Sequence, residues 1–163
     1  MGEPEMPVAV IMQRRAVQNR WQSEVWEPLG IVLNHQSKNA ASAEPSLLVD
    51  EGGVTQWLHP GFLLKLFRDE AQGYYLNVST PEPRVFVMWR MEDELAVPKF
   101  VTVSYDEAGR LMDGGEQVDN VAMPAELFAW VGEYVEKNYR PEPKKRRRPQ
   151  SFIAPKDRAG KAS

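Results

Sequence analysis

Residues 57–91 read WLHPGFLLKLFRDEAQGYYLNVSTPEPRVFVMWRM, three apolar runs separated by two polar links. In the first run Leu64 and Leu66 alternate with Leu63, Lys65 and Phe67. In the second Tyr74, Leu76 and Val78 alternate with Tyr75, Asn77 and Ser79. The third puts Val85, Val87, Trp89 and Met91 on one side and Arg84, Phe86, Met88 and Arg90 on the other. A period of two in β-branched and aromatic residues is the pattern of strands, because successive side chains leave a pleated backbone on opposite faces. The stretch therefore predicts three strands joined by a polar hairpin loop over 68–73 and a proline-stiffened link over 79–83, with Glu92-Asp93-Glu94 as an acidic closing turn.

Working outward toward the N-terminus, Val8 to Met12 reads as a strand after a loose leader over 1–6, and Gln13 to Arg20 as a polar connection. Leu29 to Leu33 forms another apolar run. Pro28 at its start lacks an N–H for the ladder and so marks an edge or a bulge. Residues 34–46, NHQSKNAASAEPS, are small and polar and predict a flexible loop. Gly52-Gly53 marks a turn before a short strand within 49–57, and His59-Pro60-Gly61 predicts another turn, since Pro fixes φ and Gly accepts positive φ.

Toward the C-terminus, Phe100 to Val103 supplies one more short strand, and then the period lengthens. Ser104 and Glu107 have the spacing of a capping box, with Ala108, Leu111 and Met112 as an apolar face and Gly114-Gly115 as a stop. Pro124 and Glu126 open a second helix in which Leu127, Val131, Tyr134 and Val135 form the buried stripe. Pro141 ends it. The expected fold is α+β: an antiparallel β-meander sheet or partial barrel of about six to seven strands, then two C-terminal helices. A single domain is expected over 7–139, followed by a disordered basic tail over 140–163.

Charge separates the two parts. The chain carries a net −3, but residues 140–163 hold nine cations against Glu142 and Asp157, or +7, which leaves −10 for the residues before them. Such asymmetry bears on partners. The chain has no cysteine, so thiolate metal sites, disulfides and Cys nucleophiles are excluded. No run approaches the ~20 apolar residues of a membrane-spanning helix. The N-terminus lacks a secretory pattern, and a cytoplasmic location is the expectation.

Several segments together resemble a known family: Arg20-Trp21 with Trp26-Glu27-Pro28, His59-Pro60-Gly61-Phe62, LFRDEAQGYYLN, PEPRVFVMWRM, VTVSYDEAGRLMDGGEQVD and YRPEPKKR. Over residues 7–148 the chain resembles a bacterial family of domains of unknown function commonly encoded beside formate dehydrogenase and its maturation factors. Some members carry the label molybdopterin-guanine dinucleotide biosynthesis protein A. The resemblance implies a context and no site residues. The residues themselves argue against the label. A guanylyltransferase opens on a glycine-rich loop whose amides cradle a triphosphate, and no glycine lies between Pro7 and Gly30.

The remaining chemistry is sparse. His35 falls in the loop and His59 in the His-Pro-Gly turn, 24 positions apart and without a metal-ligand companion. Gly52-Gly53 and Gly114-Gly115 lack phosphate-loop spacing. Asp113, Glu116 and Asp119 surround a Gly-rich turn that departs from the calcium-loop pattern and reads first as a turn. Both sides of the 85–91 run are apolar, which requires cover on both sides, from the helices or from a partner chain. Lys144, Lys145, Arg146, Arg147 and Arg148 are consecutive cations.

These readings predict a protein that works by protein–protein contact, without catalytic, metal-ligating or cofactor-binding residues. Tyr75, Phe86, Met88 and Arg90 would form the contact face and Lys144 to Arg148 an electrostatic arm. The resemblance places the partner within the formate dehydrogenase maturation system. Two alternatives stand beside this one: a ligand- or ion-binding or catalytic domain built on 113–119, and a nucleic-acid regulator using the tail. An acidic body that repels phosphates disfavours the latter.

Overall fold

Strand β1 (Glu5–Ala16) is the centre of the first sheet. Its alternate residues Met6, Val8, Val10 and Met12 are buried on one face, as period two requires. It pairs antiparallel with β2 (Glu24–Leu33) on one side and with β4 (Val54–Lys65) on the other. Strand β3 (Ser46–Glu51) adds to the far side of β4, giving the order β2-β1-β4-β3. In this computed structural model residues 3–35 and 44–141 are described. The tail cations Lys144 to Arg148 and most of the expected loop lie outside them. The leader is shorter than expected, since Glu5 and Met6 already belong to β1.

The two proline signals in this sheet resolve differently. Pro28 sits on edge strand β2 at a register shift opposite Met12, as its missing donor demands. Pro60-Gly61 is no turn: β4 continues through it, and the two residues bulge opposite Ala9, with Gly61 at φ 97. Only glycine holds that φ without strain. Pro60 also lies beyond the reach of β3, which pairs with β4 only as far as Leu58, so its absent N–H interrupts no ladder on that side. Pairing with β1 on both sides of the bulge outweighs local turn chemistry.

The second sheet has the order β6-β5-β7, with β5 (Arg84–Glu92) between β6 (Leu95–Thr102) and β7 (Gln117–Ala122). Among the described residues the seven strands are antiparallel and lie in two separate sheets that close no barrel. Val8, Val10 and Met12 of β1 share one core with Val85, Val87 and Trp89 of β5.

Among the described residues three helices complete the α+β fold, and their placement corrects the expected order of strands first and helices last. The run predicted as a strand over 74–79 is helix α1 (Ala71–Val78), entered through a single 3-10 turn at Arg68–Glu70. Of its buried residues Ala71, Gly73, Tyr74 and Asn77, all but Gly73 are spaced by three, and in eight residues that spacing and alternation fit the same letters. Helix α2 (Tyr105–Asp113) starts where the capping residue predicts: Ser104 Oγ accepts from the Glu107 N–H at 3.0 Å. The return half of the box is relayed, because Glu107 accepts from Thr102 Oγ1 at 2.6 Å and Thr102 Oγ1 accepts the Ser104 N–H at 3.1 Å. Strand β7 then occupies part of the expected acidic turn. Helix α3 (Ala125–Asn138) follows Pro124 and buries Leu127, Val131 and Val135. No helix among the described residues is long and apolar enough to cross a membrane.

Candidate functional site

Strands β1 and β4 have 12 residues each, whereas β5, β6 and β7 have 9, 8 and 6. The core-facing surface of the first sheet therefore runs on past the cover provided by the second. Register sets what stands there: Arg14 is paired with Trp26 of β2 and Thr55 of β4, Met12 with Trp57, and Val10 with His59. Trp26 and Trp57 stack with ring centroids 5.6 Å apart and planes inclined by 22°. The Arg14 guanidinium carbon lies 5.9 Å from both ring centroids, a cation–π arrangement.

Hydrogen bonds lock this group. Arg14 Nη2 donates to Thr55 Oγ1 at 3.0 Å, and Trp26 Nε1 donates to Glu24 Oε2 at 3.1 Å. The rings are thus fixed by their neighbours before anything binds, the condition for a preorganised site. Across from them stand Leu95 to Pro98 of β6, and the space between is a cleft of about 260 Å³ that also touches Phe62, Pro60 and Pro45. Pockets that engulf a small molecule usually hold about 300–1,000 Å³. This one suits side chains of a segment lying across it.

The rim is acidic. Glu24 borders Trp26, Glu44 precedes Pro45, Asp50 accepts from Thr55, and Glu92, Asp93 and Glu94 lead into Leu95. Among the described residues two cations stand against these six carboxylates, Arg14 near Glu24 and Lys99 bound to Glu92 at 2.9 Å. Asp93 and Glu94 make the two-residue turn between β5 and β6 with φ of 52° and 67°. Asn-Gly is the favoured pair for such a turn, and left-handed backbone costs an L-residue roughly 1–2 kcal/mol. Strain of this kind at a cleft edge is a pointer to function.

His59 is the titratable group among the described residues that line the cleft. It is half-buried, and loss of hydration holds its imidazole below the ordinary 6.5. The unfolded chain takes up its proton near 6.5 while the folded chain resists until a lower pH. Stability is therefore intact above about 6.5, falls as pH drops toward the folded value, and levels off below it. His59→Gln should flatten this segment of the curve, measured as urea midpoints between pH 5 and 8. An unchanged curve in the variant would place the titration elsewhere.

A family model described as a protein of unknown function (DUF3305) matches residues 7–148. The chain belongs to this family. The match spans both sheets, all three helices and the cationic run through Arg148, the same residues that carry the resemblance read from the sequence. No curated protein and no solved structure matches the chain. The DUF3305 description assigns no activity.

The contact residues expected from sequence that lie among the described residues fall in two places in this DUF3305 member. Phe86, Met88 and Arg90 share the face of β5 turned away from the core. Phe86 is buried beneath Tyr105 of α2, with ring centroids 5.7 Å apart, and Met88 is buried between its cross-strand neighbours Phe100 and Val118. Arg90 makes a two-pronged ion pair with Glu116, at 3.1 and 2.8 Å. Tyr75 is exposed, but it belongs to α1 and stacks on Tyr139 at 4.6 Å. The acids of 113–119 disperse: Glu116 faces Arg90, Asp119 accepts from Trp89 Nε1 at 2.7 Å, and Asp113 ends α2 in solvent. Among the described residues, no three His, Cys, Asp or Glu side chains gather closely enough to hold a metal ion. Sequence reasoning missed Arg14, Trp26, Trp57 and His59 as a group, since only the register of β2, β1 and β4 brings them together.

Proposed function

We propose that this protein is an accessory or assembly factor that works by binding, holding a segment of a partner protein across the Trp26–Trp57 cleft. The observation that carries the reading is the pairing of an apolar, preorganised aromatic floor with a carboxylate rim. A floor of that kind accepts apolar or aromatic anchors, which dominate the energy of most interfaces. The rim selects anchors flanked by cations and speeds their encounter. The partner is assigned to the formate dehydrogenase maturation system on the strength of the sequence resemblance.

A labelled synthetic peptide with lysines on both sides of a Phe-Ile core serves as probe, and its twin carries glutamates in place of the lysines. Trp57→Ala should weaken the lysine peptide at least tenfold, and the glutamate twin should bind far more weakly. The Asp93→Asn, Glu94→Gly double variant separates function from folding. Relief of left-handed backbone should raise the melting temperature by roughly 2–4 °C, while loss of two rim charges weakens the lysine peptide several-fold. Equal binding of both peptides, or indifference to Trp57→Ala, would overturn the reading. Capture from the native host tests the partner assignment: formate dehydrogenase maturation components should be held by the wild-type chain and lost with Trp57→Ala.

A further inference from the structure

The chemistry demanded by the cleft is written in the chain's own C-terminal residues. After Tyr139 the large apolar residues are Phe152 and Ile153, side by side. They are preceded by Lys144 to Arg148 and followed by Lys156, Arg158 and Lys161. This is an apolar core between cations, the complement of an apolar floor between carboxylates. The family match runs through Arg148, so the cationic run lies within the span assigned to the family.

The geometry allows the same molecule to supply both halves. Helix α3 ends beside the strand that floors the cleft, because Lys137 and Asn138 border a second pocket together with Leu66, the residue after β4. From Leu66, β4 leads back to Phe62, His59 and Trp57. At about 3.3 Å per residue, Phe62 is roughly 13 Å and Trp57 roughly 30 Å along that line. Phe152 is eleven residues beyond Pro141, and an extended chain of that length reaches about 36–40 Å.

We propose that residues 144–156 are an intramolecular occupant of the cleft, with Phe152 and Ile153 against Trp26, Trp57 and the β6 wall and the cations over the rim. This inference rests on the peptide-binding reading above and adds its regulation. A tethered ligand acts at an effective concentration near the millimolar range, so a partner segment must displace it. The protein is thereby self-inhibited until it meets a ligand that outcompetes its own C-terminus.

The test uses the full chain and its Phe152→Ala, Ile153→Ala variant, whose changes lie outside every described strand and helix. The indole N–H resonances of Trp26 and Trp57, assigned with single Trp→Phe variants, should shift between the two proteins. The lysine-flanked probe peptide should bind the variant at least tenfold more tightly than the wild type. Unmoved resonances with equal peptide affinity would overturn the inference and leave the peptide-binding reading standing. Peptide binding to neither protein, with unmoved resonances, would remove both. Resonance shifts that vanish on dilution, together with a dimeric mass at high concentration, would assign the segment to the cleft of a second copy and overturn the intramolecular form.

Discussion

Asn77→Ala is expected to destabilise the fold by roughly 3–5 kcal/mol, lowering the melting temperature by about 10 °C or more. Asn77 is 1% exposed. Its amide nitrogen donates to the carbonyls of Arg84 at 2.8 Å and Val103 at 2.9 Å, and its carbonyl accepts the Arg84 N–H at 2.9 Å. One side chain thus ties the last turn of α1 to the first residue of β5 and to the end of β6. Alanine removes all three bonds and leaves backbone groups without partners in a place water reaches poorly, where each costs about 1–3 kcal/mol. Asn77→Asp separates this account from a simple packing loss. The carboxylate keeps the acceptor for Arg84 but turns an oxygen toward two carbonyls, so its ionised form is disfavoured and its proton is held more tightly when folded. That variant should gain stability as pH falls from the raised folded value toward the range of an ordinary carboxylate and level off below it, opposite in direction to the His59 effect. An Asp variant whose stability ignores pH, or an alanine variant within 1 °C of the wild type, would show that the three bonds are not what holds this junction.

Asn77 also marks where the sequence could and could not be read. Strand β5 was legible because both of its faces are apolar and prolines bound it on the N-terminal side. The starts of α2 and α3 were legible because Ser104 and Pro124 announce them with local chemistry. Helix α1 was not, since Tyr74-Tyr75-Leu76-Asn77-Val78 satisfies either period and eight residues contain too few repeats to choose. What decides is tertiary: a strand would send Asn77 and Tyr74 to opposite faces, whereas a helix buries both. There Asn77 finds the Arg84 and Val103 backbone, and the Tyr74 hydroxyl accepts the Phe67 N–H at 2.9 Å. The cleft was illegible for a related reason. Trp26, Arg14 and Trp57 belong to three strands, and the bulges at Pro28 and at Pro60-Gly61 shift the pairing on both sides of β1. A register is a property of the assembled sheet, and a shift of one residue would have sent either tryptophan to the other face. The acids around 113–119 look like one cluster in sequence because sequence cannot see that α2 ends at Asp113, that Glu116 just before β7 meets Arg90, and that β7 carries Asp119 to Trp89.

Gly73→Ala is expected to cost roughly 2–4 kcal/mol, combining overpacking with damage to a helix cap. A Cβ at position 73 would stand 2.1 Å from Ser104 Oγ, 3.1 Å from Ser104 Cβ and 3.2 Å from the Asp106 nitrogen. Ser104 Oγ has no freedom to retreat. It is fully buried, accepts the Glu107 N–H that begins α2, and donates to Glu70 Oε1 at 2.6 Å. Glu70 in turn holds Arg110 of α2. The close approach of α1 to the head of α2 therefore depends on a missing methyl group, and the cap, the Glu70 contact and the Arg110 ion pair depend on that approach. A double-mutant cycle reads the coupling directly. Ser104→Ala alone should cost about 1–2 kcal/mol through the lost cap and Glu70 bond. In the Gly73→Ala background the same change removes the 2.1 Å clash and should cost less, or restore stability, although the 3.1 Å approach to Ser104 Cβ prevents full recovery. Additive losses in the cycle would mean that the two residues do not meet, and the packing of α1 on α2 described by these distances would be wrong.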